Sequence, residues 1–153
     1  MQPPLPPPKG ALSDGRHFFP IRVYFEDTDF TGIVYHANYL RFIERARTEM
    51  LRDLGLHQGA IHSGETGDAL FFVVARMQLE FLRPARMDDL LTVETRPVKI
   101  TAAVIELEQV VRRDEDILFT ARVLIAALAD GKPRRLPREI REKLGLGEGC
   151  VGS

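Results

Sequence analysis

Tryptophan is absent from this chain, and cysteine occurs once, at Cys150 in a glycine-rich tail. A lone cysteine closes no internal disulfide and forms no C-x-x-C pair, so the fold must rest on burial and hydrogen bonding, which suits a reducing compartment. An excess of one charge is also missing. The 21 basic side chains face 22 acidic ones, a net charge of −1, which leaves no global field for nucleic acid or an anionic membrane. No apolar run approaches the length needed to cross a bilayer. The opening MQPPLPPPKG also lacks the apolar stretch of a signal peptide or membrane anchor.

What remains is an ordinary globular composition, 44% hydrophobic and 28% charged over 153 residues, enough for one domain with a substantial core. The expected organisation is a flexible proline-rich arm over residues 1–15, a folded domain over 16–144 and a flexible tail over 145–153. Ile21, Val23 and Phe25 alternate with Arg22, Tyr24 and Glu26, which predicts a first strand over residues 17–26. Leu40, Ile43, Ala46, Met50 and Leu54 recur at helical spacing and predict one long helix over 38–54, closed by Gly55. Residues 57–68 read as a glycine-containing connection. Four β-rich stretches follow, over 69–83, 90–100, 102–113 and 117–129, separated by Pro84 and by short polar turns. Residues 130–133 read as a turn and 137–144 as a short terminal helix with proline at its start. Short turns predict consecutive strands lying antiparallel side by side, curled around the one long helix, with sheet edges left to pair with another copy.

Chemistry concentrates between the first strand and the helix, in E-D-T-D-F-T-G-I-V-Y-H-A-N-Y-L, residues 26–40. Polar residues at a helix start lie beside unpaired backbone N–H groups and the positive end of the helix dipole. Such a place can stabilise a carbonyl oxygen as it becomes an oxyanion. Gly32 permits a tight turn and close approach of a ligand, His36 can orient a carbonyl or a water, and a carboxylate such as Asp29 can attack or act as a base. Taken singly, each residue has an ordinary structural role: an aspartate or asparagine before a helix is usually a cap, and a lone histidine is usually a hydrogen-bonded structural group. Asp27 is assigned to the turn and Asn38 to a helix cap. Metal-ligand spacings are absent around these residues, so neither a metal nor a cofactor is expected.

The run V-Y-F-E-D-T-D-F-T-G-I-V-Y-H-A-N-Y-L-R-F-I-E-R-A-R-T-E over residues 23–49 resembles the hotdog-fold acyl-coenzyme A thioesterases. Within them it resembles the hydroxybenzoyl-coenzyme A thioesterase branch, and there the bacterial Tol–Pal-associated enzymes. F-L-R-P-A-R-M-D-D-L-L-T-V over 81–93 extends the likeness. The resemblance implies an α+β hotdog fold, a curved antiparallel sheet wrapped around one long helix, in a homodimer or homotetramer with sites at the dimer interface. It implies Asp29 as the catalytic carboxylate and His36 as the histidine whose backbone N–H polarises the thioester carbonyl, with Tyr35 and Gly32 lining the same turn. The implied substrate is an acyl-coenzyme A or acyl carrier protein thioester, and the implied location is the cytoplasm, with peripheral attachment to the inner membrane left open. Coenzyme A carries phosphates, which makes Arg83 and Arg86, and the cluster Lys132, Arg134 and Arg135, candidates for binding them. Other readings are a hotdog dehydratase or hydratase, and a non-catalytic acyl-thioester-binding or envelope-associated protein. Leu70, Phe71, Phe72, Val73, Val74, Met50 and Leu54 are candidates for an acyl tunnel or for plain core, and residues 61–68 for a gate.

Overall fold

The computed structural model describes residues 10–56 and 70–145. Most of the proline-rich arm, the connection 57–68 with its gate candidate, and the tail beyond residue 145 with Cys150 lie outside the described residues. Strands β1 (Ala11–Ser13) and β2 (Arg16–Arg22) form an antiparallel hairpin. Its turn, Asp14-Gly15, holds both residues at positive φ, 52° and 72°, the conformation that a tight two-residue hairpin requires. The sheet therefore begins within the residues assigned to the arm. The chain continues through α1 (Asn38–Asp53), β3 (Phe71–Phe81), β4 (Leu90–Ile100), β5 (Val104–Arg113), β6 (Asp116–Ala129), β7 (Lys132–Pro133) and α2 (Arg138–Gly145).

The sheet runs in the order β1-β2-β4-β5-β6-β3, antiparallel throughout, with β7 paired to β6. Three expectations are corrected here. Consecutive strands are not all neighbours, because β3 pairs with β6 and β4 with β2. The cause lies in residues 82–89, where Leu82 and Arg83 both donate their N–H to the Leu118 carbonyl at 2.8 and 3.1 Å, so the chain follows β6 before crossing to β4. The first strand ends at Arg22 rather than at residue 26. There the Asp27 carboxylate accepts the Tyr24 N–H at 2.8 Å and closes a 3₁₀ turn over Phe25–Asp27, which turns Phe25 outward, 80% exposed. Finally, Lys132 and Pro133 leave the turn to become β7, since Asp130-Gly131 alone supplies the two positive-φ positions.

The long helix is where the pattern places it, but its buried face is rotated. Tyr39, Phe42, Ile43, Ala46, Met50 and Leu51 are buried, whereas Leu40 is exposed and Leu54 half-buried. Both stripes fit a 3.6-residue period, and the one that won removes two aromatic rings from water. Its N-terminal half packs on Phe19, Ile21 and Val23, on Leu91 and Val93, and on Val111, Phe119 and Val123. Its C-terminal half shares a second cluster with Ile105, Leu107, Leu136 and the α2 residues Ile140 and Leu144.

Two polar ties fix α1 against the sheet. Gln109, fully buried on β5, donates its amide to the Ile43 carbonyl and the Thr95 hydroxyl, both at 3.0 Å, and accepts the Arg47 guanidinium at 3.0 Å. His17 on β2 is buried, with Nε2 2.8 Å from Asp53 Oδ2 at the far end of the helix. Gly10 lies against that pair so closely that an added Cβ would stand 2.2 Å from His17 Nε2. Phe42→Ala is expected to cost about 3–5 kcal/mol in urea unfolding, and Leu40→Ala less than about 1 kcal/mol. Equal losses from the two variants would refute the rotated face.

Candidate active site

The polar segment after β2 folds into a miniature hairpin. Thr28 and Val34 pair across it, the Asp29 N–H donates to the Ile33 carbonyl at 3.0 Å, and the Gly32 N–H to the Asp29 carbonyl at 3.0 Å. Gly32 sits at φ +85°, a conformation that favours glycine, and a Cβ there would meet nothing within 4 Å. The glycine is needed for the turn, and its open side leaves room above it. Asp29 Oδ1 accepts the Thr31 N–H at 2.8 Å and also the Thr31 hydroxyl. These two hydrogen bonds, hydroxyl first, hold the Asp29 carboxyl below the usual carboxylate range, with the His36 charge adding a smaller pull. Asp29 is therefore ionised at neutral pH while standing at the surface.

Helix α1 begins immediately beyond, and it begins bare. No side chain caps it, its first turn holds no acidic residue, and Ala37 at the N-cap is already helical (φ −67°, ψ −21°). The cap expected of Asn38 is not made. Its amide instead reaches back 2.8 Å to the Asp27 carbonyl, which also accepts the Tyr35 N–H at 2.9 Å. Among the described residues the backbone N–H groups of His36 and Ala37 have no hydrogen-bond partner. An uncapped helix start with free donors and the positive end of the dipole is suited to receive negative charge developing on an oxygen.

The hairpin is held in place by the core. Tyr39 stacks on Phe119 at 4.9 Å between ring centroids and meets Phe81 edge-on at 5.7 Å. Its hydroxyl accepts the Ala85 N–H at 3.2 Å, the Ala85 carbonyl accepts the Val34 N–H at 2.8 Å, and Ile33 bridges to Arg86. A buried tyrosine on the first turn of α1 thus carries the loop on which the hairpin hangs. Nothing in the sequence pattern singled out Tyr39 or Thr31. The Asp-x-Thr spacing of a side-chain-closed turn was the one local signal for Thr31.

The structure brings together Asp29, Gly32, Tyr35 and His36, with the Tyr35 and His36 rings 4.6 Å apart and both exposed. Arg86 lies across from Ile33, while Arg83 is exposed and pairs with Asp116 at 3.1 Å. Lys132, Arg134 and Arg135 do not join this group within one protomer. They follow the far end of β6, ten residues beyond Phe119, which at strand rise is roughly 33 Å. Of the tunnel candidates, Leu70 belongs to the core, Met50 and Phe72 join that core and also line a cavity beside α1, and Val73 and Val74 line the same cavity.

The model of the thioesterase superfamily matches residues 31–120. The chain is 42% identical over 132 residues to an acyl-CoA thioesterase, YbgC, of Haemophilus influenzae, spanning 85% of this chain and 95% of that protein. It is 39% identical to an acyl-CoA thioester hydrolase, YbgC, of Escherichia coli, spanning 80% of this chain and 90% of that one. A solved structure of a probable thioesterase from Bartonella henselae superimposes with a TM-score of 0.77 at 50% identity, covering 80% of this chain and 99% of the other.

Removing the Thr31 hydroxyl tests the electrostatics of Asp29 directly. Thr31→Val deletes the largest cause of the depressed pKa and leaves the backbone donor, so the carboxyl should titrate at higher pH than in the parent. Following the Asp29 carboxyl carbon by NMR against pH reads this, and an unchanged midpoint would contradict the assignment.

Proposed function

Since the chain belongs to the thioesterase superfamily, we propose that it hydrolyses acyl-coenzyme A to a free acid and coenzyme A, with Asp29 as the reacting carboxylate. The observation that carries this is the pairing of an ionised, surface-standing carboxylate with an uncapped helix start whose His36 and Ala37 N–H groups are free. A thioester carbonyl lying between them has its oxygen facing the donors and its carbon facing Asp29. In one route an Asp29 oxygen attacks that carbon, the C–S bond breaks, the thiolate leaves, and water then cleaves the mixed anhydride. In the other, Asp29 takes a proton from water as the water oxygen attacks, and the thiolate leaves and is protonated. Either route places negative charge on the same oxygen, so the helix start serves both.

The reading includes a homodimer. Strand β3 is eleven residues long and lies at the sheet edge among the described residues, with Val73, Val74 and Phe81 exposed. Such an edge calls for a partner strand, and two copies of one edge pair antiparallel about a two-fold axis. Antiparallel pairing sets the start of one β3 against the end of the other. Lys132, Arg134 and Arg135 of the partner subunit then come to the end of the sheet where Asp29 stands, which supports their assignment to the coenzyme A phosphates, with Arg83 and Arg86 closer to the hairpin. The proposal places the activity in the cytoplasm. Among the described residues no helix is long and apolar enough to cross a membrane.

Asp29→Asn is expected to lower thiol release from acyl-coenzyme A by at least about 10³-fold with an unchanged melting temperature. Near-parental turnover by that variant would defeat the proposal. An unsaturated or hydrated acyl product from the parent would favour a dehydratase or hydratase, and binding without turnover a thioester-binding protein. Val74→Lys should shift the assembly toward monomer in light scattering and lower activity in parallel. A dimer that persists unchanged would remove β3 from the interface.

A further inference from the structure

Beside the C-terminal half of α1 lies a cavity of about 320 Å³, behind the first half of β3. Its wall is formed by the apolar Met50, Leu51, Phe72, Leu107 and Ile125 and by the polar Glu44, Arg47 and Thr48, so that it presents polar and apolar surface in about equal measure. Arg47 is half-buried and donates to the Gln109 amide oxygen, while the Gln109 amide nitrogen serves the Ile43 carbonyl and the Thr95 hydroxyl. A guanidinium carries five N–H donors, and among the described residues Gln109 accepts only one of them. The other carboxylates on α1 are engaged elsewhere, Glu49 with Arg52 at 3.5 Å and Asp53 with His17 at 2.8 Å. Glu44 is exposed and makes no ion-pair contact with Arg47, although its charge acts on it, and burial pulls the guanidinium below the ordinary arginine value. A desolvated cation without a contact counter-ion is costly, and proteins normally pair it. Here, among the described residues, its remaining donors have no protein partner, and they border the cavity.

Resting on the thioesterase reading above, we propose that this cavity receives the distal end of the acyl group, and that Arg47 selects acyl chains ending in a carboxylate, the monothioesters of dicarboxylic acids. A carboxylate presents two acceptor oxygens to the guanidinium fork and supplies the counter-ion that the described residues do not, whereas a methyl-ended chain of equal length offers neither. Antiparallel pairing of β3 edges brings the hairpin end of one protomer toward the β3 start of the other, so the cavity faces the Asp29 of the partner subunit. Glu44 opposes an incoming carboxylate, but from the exposed side, where water and salt screen it.

The test is a set of paired coenzyme A thioesters of about four to ten carbons, carboxyl-ended and methyl-ended, with kcat/KM measured by thiol release. The parent should favour the carboxyl-ended member by at least about tenfold at its best length. Arg47→Met should lower kcat/KM for that member by about 10- to 100-fold and change the methyl-ended one by less than about threefold. Arg47→Lys should fall between, and Glu44→Gln should raise the carboxyl-ended rate. A parent that cleaves methyl-ended chains without preferring carboxyl-ended ones, or an Arg47→Met variant with the parental ratio, overturns the role of Arg47 and leaves the thioesterase reading intact. Arg47→Met that loses both substrates equally while the dimer dissociates in light scattering also overturns it, because the counter-ion would then be protein. Cleavage of no thioester at all would overturn the thioesterase reading itself.

Discussion

Tyr39 is the residue on which the rest of the site depends. Its buried ring packs against both Phe81 and Phe119, and its hydroxyl accepts the Ala85 N–H. Through the Ala85 carbonyl that contact reaches Val34, and so the hairpin that carries Asp29. Packing energy from an aromatic cluster is thereby converted into the placement of a surface carboxylate. The same residue belongs to the first turn of α1, so the uncapped helix start and the hairpin share one anchor. A site built from loop residues alone would be looser than one tied to a buried ring.

Around that anchor, polar groups are arranged so that the helix start is left free. Asn38 is turned back onto Asp27, Asp27 is turned onto Tyr24, and Thr31 is turned onto Asp29. The bond of Asn38 takes the polar side chain at the start of α1 and commits it elsewhere, and the other two shape the turns that precede the helix. Among the described residues the N–H groups of His36 and Ala37 are left without partners, a cost to stability of the kind found where a fold retains electrostatic potential for chemistry.

The sheet separates the groups proposed to meet the substrate. The path β1-β2-β4-β5-β6-β3 leaves β3 at an edge and sends β6 away from the hairpin toward the basic residues Lys132, Arg134 and Arg135. The distance between the two ends of β6 follows from strand rise and cannot be shortened by side-chain motion. In the proposed dimer a second copy across β3 brings opposite ends together. The cavity beside α1 lies behind the same strand, so edge, basic cluster and cavity would answer to that one assembly.

Much of the site was legible in the sequence, because the chemistry is local. The Asp29, Gly32, Tyr35 and His36 constellation, the existence and extent of α1, and the turn at Asp130-Gly131 depend on residues a few positions apart. What the sequence by itself determined was therefore the main elements other than β1 and β7, the polar segment and the family likeness it carries. Tertiary structure decided which stripe of α1 faces inward, since the Leu40 and Tyr39 stripes have the same period and differ only in what they meet. It decided that β3 leaves its chain neighbour β4 for β6, because the crossing is set by backbone bonds to Leu118. It also decided the surroundings of Arg47, which one-dimensional spacing shows merely as a charge on a helix. These outcomes rest on contacts between residues far apart in the chain, and local propensity has no access to such contacts.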